Sequence, residues 1–410
     1  MMGIQSAIRI PRDQRLGGLG WVKRAPTLGM PDVFLDFAGN RGFAAGVQVP
    51  LSGLFTFSRS TTAWDNTAGG LLFSTALNVP RYGQGLGFLP EGARTNLMLQ
   101  SGNFATTPWV NTSSFPTTNA AIGVDGTMSA TLVTVTGSNG GPAQVITIAA
   151  ASTNVVSVYA KPGASNWARI RVLAGPEVRA VWYNIVTGAI GTADLVGVEI
   201  TGLVASTERG AFGFYRCILR VTTATATTLS VKFLPCPSDG VNAEAGDSFY
   251  LDKGQCELGA TDTSYITTTT VSATRGADIM TLTGAQFTNG LTAAEGTIFM
   301  EMELDASTPL SAQAGGLSNT AAPSVNNRVC VVLPSGNANL QIVDAGAFTV
   351  ATPAVAGNAR PLKTRFAARY KLNDSNSSVK GSVSVSDTVC TIPTGMDLSL
   401  IHISEPTRPY

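Results

Sequence analysis

Charge, histidine and helical periodicity are what this sequence has least of. Charged residues make up 13% of its 410 residues, about half the share of an average globular protein, while the hydrophobic share of 44% is ordinary. Surface polarity must come from Thr, Ser, Asn and Gly, a composition that suits short strands joined by tight turns and argues against a cytosolic α/β enzyme. Lysine plus arginine number 27 against 26 for aspartate plus glutamate, a net charge of +1. That leaves no overall field to gather nucleic acid or an anionic membrane, and neither is expected as a partner. The one histidine, His402, stands near the C-terminal end. Histidine acid–base catalysis, Ser/His/Asp triads and the usual zinc sites are therefore excluded from the remainder. Five cysteines, Cys217, Cys236, Cys256, Cys330 and Cys390, show no compact metal spacing and read as small core residues. Cys217 and Cys236 could be cross-strand neighbours, but no disulfide is expected of a reducing assembly compartment. No run approaches the roughly 18 apolar residues of a membrane span. The opening MMGIQSAIRIPRDQRLGGLG lacks the apolar core of a secretory signal, so neither membrane insertion nor export by that route is expected.

A chain of this length can bury two or three cores, because single cores rarely grow past about 250 to 300 residues. Residues 1–29 carry Arg9, Arg12, Arg15, Lys23 and Arg24 among glycines; they read as a flexible tail, or as an overextended gene start ahead of Met30. From 30 to 95, short apolar runs such as FLDFAG and GLFTFSRST are broken by Gly, Pro and Asn, the marks of strands and turns. Residues 96–272 alternate polar and apolar positions in segment after segment, among them SATLVTVTG, NVVSVYAKP, ARIRVLAG and TTLSVKFLP. Such alternation means half-buried strands, and their number makes an antiparallel jelly-roll sandwich the leading architecture. Thr267 to Thr270, with Thr274, form a threonine-rich connector expected to bound that module. A second β block follows over 276–397, and the fold class is all-β. The ending LSLIHISEPTRPY closely resembles the translation of a sequencing adapter, of the kind found at gene ends in metagenomic assemblies. Residues 398–410 are then expected to be a non-native tail, and His402 to be foreign to the protein.

Three ordered pieces carry a family resemblance. Phe57-Ser58-Arg59-Ser60-Thr61, then Asn78-Val79-Pro80-Arg81, then Glu91-Gly92-Ala93-Arg94-Thr95-Asn96-Leu97 resemble the "SRST … VPR … EGARTNL" signature of bacteriophage tail-fibre and head-spike proteins. The resemblance implies a virion location, with residues 30–95 as an anchoring region. It also implies other virion proteins and a host cell-surface glycan as partners, and a homotrimer. An extracellular-type composition without an export signal agrees with a particle freed by lysis. The 96–272 block resembles jelly-roll carbohydrate-binding modules in Phe249-Tyr250-Leu251-Asp252, Glu257-Leu258-Gly259 and Thr263-Ser264-Tyr265-Ile266. In such modules the closing-strand aspartate often helps to hold a structural calcium, and Asp252 is the matching position. The alternative is that Asp252 faces solvent or caps a turn. No other cofactor is implied. Glu295-Gly296-Thr297-Ile298-Phe299-Met300 resembles the first strand of concanavalin-A-like and laminin-G-like lectin domains, so the third block is expected to be an incomplete sandwich of that type.

Alternation places Glu301, Glu303 and Asp305 on one strand face, about 7 Å apart in sequence order, and glycoside hydrolysis uses two carboxylates at comparable separations. The apolar stripe Ile298, Met300, Met302 and Leu304 on the other face makes them equally the solvent side of an ordinary strand. The family motif also expects an aspartate where Glu303 stands. They are weak catalytic candidates, and no enzyme is expected. Sugar binding needs flat apolar rings flanked by polar groups, for which Trp109, Trp167, Trp182, Tyr183 and Tyr159 are the candidates. Trp182 and Tyr183 are adjacent in a strand and must point to opposite faces, so one of them is expected to be outward. Arg59, Arg81 and Arg94 are read as structural arginines that fix loops through carbonyls or a nearby acid such as Asp65 or Glu91. No Gly-rich phosphate loop is present. The function expected is adhesion to host glycans by a virion protein; the alternatives are a polysaccharide depolymerase and a spacer without a ligand.

Overall fold

The computed structural model describes residues 3–7, 33–36, 41–44, 47–50, 53–81, 89–283, 294–304, 311–318, 327–334, 339–351, 362–379, 385–393, 396 and 398–401. It is all-β, and no α-helix occurs among the described residues. The chain forms two compact units. A central unit comprises Thr61–Ala76 and Ala93–Gly276, and a flanking unit comprises Met1–Ser60, Leu77–Gly92 and Ala277–Tyr410.

Two six-stranded antiparallel sheets make the central unit. One runs in the order Ser114–Ala121, Ala130–Val135, Ser248–Leu258, Thr153–Pro162, Tyr215–Thr223, Ile200–Arg209. The other runs Ile190–Ala193, Glu177–Asn184, Trp167–Ala174, Thr228–Cys236, Gly141–Thr147, Val110–Thr112. Several neighbours are far apart in sequence, as where Ser248–Leu258 lies between Ala130–Val135 and Thr153–Pro162, the crossing pattern of a jelly roll. The period-2 pattern does what it should: Val156, Val158 and Ala160 from one sheet meet Ile170, Val172, Val231 and Phe233 from the other in a single core. Chain entry and exit lie side by side, since Ala273–Arg275 pairs antiparallel with Arg94–Asn96. Thr268, expected in a connector, is buried in this unit, and its backbone N–H donates to Ser101 Oγ at 2.9 Å. The hairpin of Ala63–Asn66 and Leu72–Thr75, which the sequence grouped with the N-terminal region, also belongs to the central unit.

The flanking unit has an eight-stranded and a seven-stranded sheet. Its pairing is antiparallel except at Gly3–Ala7, which runs parallel to both Val33–Asp36 and Glu295–Leu304. Leu398–Ile401, expected in a foreign tail, pairs antiparallel with Ile279–Thr283 and Ser311–Ser318. Glu301 and Glu303 stand opposite Arg365 and Lys363 in the ladder. Their side chains lie outside the described residues, as do Asp305 and His402.

All five cysteines are free and buried. Cys217 and Cys236 lie on different sheets rather than on neighbouring strands, and burial pushes the Cys236 thiol up to about 12.

Candidate functional site

Four of the five rings expected to stack on sugars are inside the central unit. Trp109 packs on Phe104 with ring centroids 4.9 Å apart and on Phe233 at 5.9 Å, and its Nε1 donates to the Gln100 carbonyl at 3.1 Å. Tyr183 is fully buried, its hydroxyl donating to the Ile218 carbonyl at 2.8 Å. Tyr159 is buried with the Arg216 guanidinium 5.9 Å from its ring, and desolvation pushes its phenol up to about 12. Trp182 and Tyr183 do point to opposite faces, but neither is outward. The loop following Thr228–Cys236 roofs the far face: Trp182 Nε1 donates to the Val241 carbonyl at 2.8 Å and the ring shares a second core with Ala243 and Leu234. Trp167 is half-buried against that same core. Loop cover of this kind leaves no periodic trace, so alternation alone could not reveal it.

Asp252 neither faces solvent nor presents itself to a metal. It is fully buried. Oδ2 accepts from the Val124 N–H at 2.9 Å and from Ser129 Oγ at 3.1 Å, while Oδ1 lies 3.1 Å from Lys253 Nζ. The strand slips register opposite Ser157 and Tyr159, and Lys253 there adopts a left-handed φ of 50°. That kink sends Lys253 back beside its sequence neighbour. Its ammonium also lies 2.9 Å from Asp125 Oδ2, and 5.8 and 6.0 Å from the ring centroids of Trp64 and Tyr265. Burial raises the Asp252 carboxyl. Asp125 is held down to about 2: desolvation opposes this, and hydrogen bonds from Lys253 and Thr127 outweigh it. Close approach requires Gly123, since a Cβ there would come within 2.3 Å of Asp252 Oδ2. Calcium needs six to eight oxygen ligands, by the usual range of about 2.3–2.6 Å. Here the carboxylate oxygens are already engaged and the cation is an ammonium, so the residues present do not fit that ion.

In the flanking unit the signature arginines converge. Arg59 Nη1 lies 2.8 Å from Asp278 Oδ1, Arg81 Nη2 pairs with Asp278 Oδ2, and Arg81 Nη1 lies 2.7 Å from Glu91 Oε2. Asp278 Oδ2 also accepts the Glu91 N–H at 3.0 Å, and the Asp278 N–H donates to the Glu91 carbonyl at 2.9 Å. Both guanidiniums and the Asp278 carboxylate are fully buried. Glu91, expected as a partner, pairs with Arg81, and Asp65, the other acid offered, accepts the N–H of Asn66. Asp278 escaped sequence reasoning because it lies far along the chain, and its only mark is an acid in the charge-poor run GADIM. Arg94, in the central unit, donates to the Ala93 carbonyl and lies 4.0 Å from Glu257.

The outer face of the second central sheet carries the remaining chemistry. Arg171 stands directly opposite Lys232 on one side and Ala180 on the other, and Lys232 stands opposite Ala143. Arg169, two residues along, is roofed by the same loop as Trp182. It stacks 4.5 Å from that ring, and its Nη1 donates to Asn242 Oδ1 at 2.7 Å and Asn139 Oδ1 at 3.2 Å. Arg171 and Lys232 are half-buried, and neither has an acidic partner among the described residues. Desolvation, reinforced by Arg171 and Arg169, lowers the Lys232 amine below its usual range. Val145 and Val110 continue the face outward at 69% and 61% exposure, values that mark open surface rather than a second packed layer.

No family model and no curated protein matches the sequence. Among solved structures, the enzymatically active domain of tailspike protein 4 of bacteriophage CBA120 is 13% identical, with a TM-score of 0.24, over 40% of this chain and 21% of that one. Laminin α1 chain domains LG4-5 of mouse are 11% identical, with a TM-score of 0.20, over 63% of this chain and 78% of that one. The chain thus spans about a fifth of the tailspike chain it matches.

Proposed function

We propose that the protein is a structural adhesion component of a bacteriophage particle, a tail fibre or head spike, whose central jelly roll binds host-surface carbohydrate without cleaving it. The ordered signature at residues 57–97 supports the virion reading. Its separate pieces meet on one acid, Asp278, so the residues that carry the resemblance form one structural cluster. The sheet face bearing Arg171 and Lys232 supports the binding reading, because a rigid strand pair there holds two half-buried cations beside the exposed Val145, groups able to engage a polar ligand. Weak single sites on a trimer would gain strength by repetition.

A glycan array probed with the full chain tests this directly, alongside light scattering for the trimer and a reducing-sugar assay on every polysaccharide bound. Retention of defined glycans without release of reducing ends is expected. Turnover abolished by Glu301→Gln and Glu303→Gln would establish a depolymerase in its place.

A further inference from the structure

Four of the five candidate rings are consumed by the core and Trp167 is half-buried against it, so what the open face mainly offers a ligand is charge. Arg171 and Lys232 sit directly across from one another on adjacent strands, a position where side chains lie about 5 Å apart and like charges repel. Arg169 follows on the same face of the same strand. A fold with 26 acidic residues could have placed one here to relieve the repulsion. Asp194 acts on Arg169 electrostatically, and its Oδ2 accepts the Ala180 N–H at 2.7 Å. Arg169 itself is committed to Asn139 and Asn242, which leaves Arg171 and Lys232 as a pair of cations without a structural counterion.

We propose that Arg171 and Lys232 form a subsite for the carboxylate of an acidic sugar, so that the ligand is a uronate- or sialate-bearing polysaccharide rather than a neutral one. An anion between them would end the repulsion. A guanidinium fork matches a planar carboxylate in two parallel hydrogen bonds, and the ammonium adds a third donor. On the Lys232 side the small side chain of Ala143 is only half-buried, and Val145, exposed on the same face, offers its apolar side to the C–H face of a pyranose ring. Nucleic acid is the less suitable polyanion. Its affinity comes chiefly from many Lys and Arg contacts to phosphate, whereas this face offers the Arg171–Lys232 pair and the chain has a net charge of only +1.

This inference rests on the carbohydrate-binding reading, and the test separates the two. The full chain is titrated with polygalacturonate, with its methyl ester, with polysialic acid and with duplex DNA, next to the double variants Arg171→Gln/Lys232→Gln and Arg171→Lys/Lys232→Arg. Melting curves confirm that both variants fold. Expected results are binding of at least one carboxylated polymer, loss of at least tenfold affinity on esterification or in the Gln pair, and retention in the charge-preserving pair. Carboxylated polymers bound equally by the Gln pair would overturn the subsite, as would DNA bound as tightly as the polysaccharides. Binding of neutral glycans alone on the array would overturn acid recognition and leave adhesion standing, whereas no binding to any glycan would overturn both.

Discussion

Lys253 Nζ lies 2.9 Å from Asp125 Oδ2, with Asp252 Oδ1 at 3.1 Å on its other side. A lysine next to an aspartate in an alternating strand should point away from it. The register slip and the left-handed backbone at Lys253 cancel that alternation, and the chain thereby supplies its own cation to two acids that burial would otherwise penalise. The rings of Trp64 and Tyr265 complete the enclosure.

Replacing Lys253 with Met should therefore cost about 3–5 kcal/mol of stability, the usual effect of removing one partner from a buried ion pair. Denaturant unfolding of the variant measures it. In the wild type, neither added calcium nor a chelator should move the melting midpoint. A calcium-dependent rise would show that the Asp252 region accepts a metal after all.

Asp278 balances two buried guanidiniums at once. The Asp278→Asn change keeps the shape but removes the carboxylate that Arg59 and Arg81 share, while Arg81 keeps its pairing with Glu91. A loss of about 3–5 kcal/mol is expected in the flanking unit. Four of the five tryptophans, Trp64, Trp109, Trp167 and Trp182, belong to the central unit, so tryptophan fluorescence should change less than far-UV circular dichroism does on mild heating.

The strand content was legible because alternation of β-branched and polar residues is a local signal, and runs such as Thr153–Pro162 and Thr228–Cys236 fold as their pattern dictates. Arg59, Arg81 and Arg94 were legible as structural arginines from their recurrence in a charge-poor stretch, with Glu91 one of two acids offered as partner. Asp278, Lys253 and the Arg171–Lys232 pair were not. Each depends on register or on contacts across most of the chain, which no window of sequence carries. For Trp109 and Trp182 the sequence left core and sugar-face readings both open, with the core the commoner, because aromatic type suits either place.

Acid should stabilise the central unit. Burial pushes the Asp262 carboxyl up to about 7, although Arg216 at 2.9 Å acts in the opposite direction. An unfolded aspartate titrates at about 3.9. A group raised on folding contributes stability that is complete below its unfolded value and lost as pH climbs through the folded one. Burial raises Asp252 and Glu257 as well, so they add to the effect. The melting midpoint should fall between about pH 4 and pH 8, and Asp262→Asn should flatten part of that slope. A midpoint rising over the same interval would contradict the assignment.

Trp109 separates packing from recognition most cleanly. Its ring is wedged between Phe104 and Phe233 in the main core, and its N–H is satisfied by the Gln100 carbonyl. Truncation to alanine should cost about 3–5 kcal/mol through the cavity it leaves. Because no face of the ring reaches the open sheet surface, glycan affinity measured well below the variant's melting midpoint should stay within about twofold of wild type, a difference of roughly 0.4 kcal/mol. The Arg171→Gln/Lys232→Gln pair should behave in the reverse manner, with the midpoint unchanged or raised by relief of repulsion and the affinity lost. A Trp109→Ala protein that melts like wild type yet no longer binds would place the sugar on that ring and move the recognition surface to the Val110–Thr112 edge of the sheet.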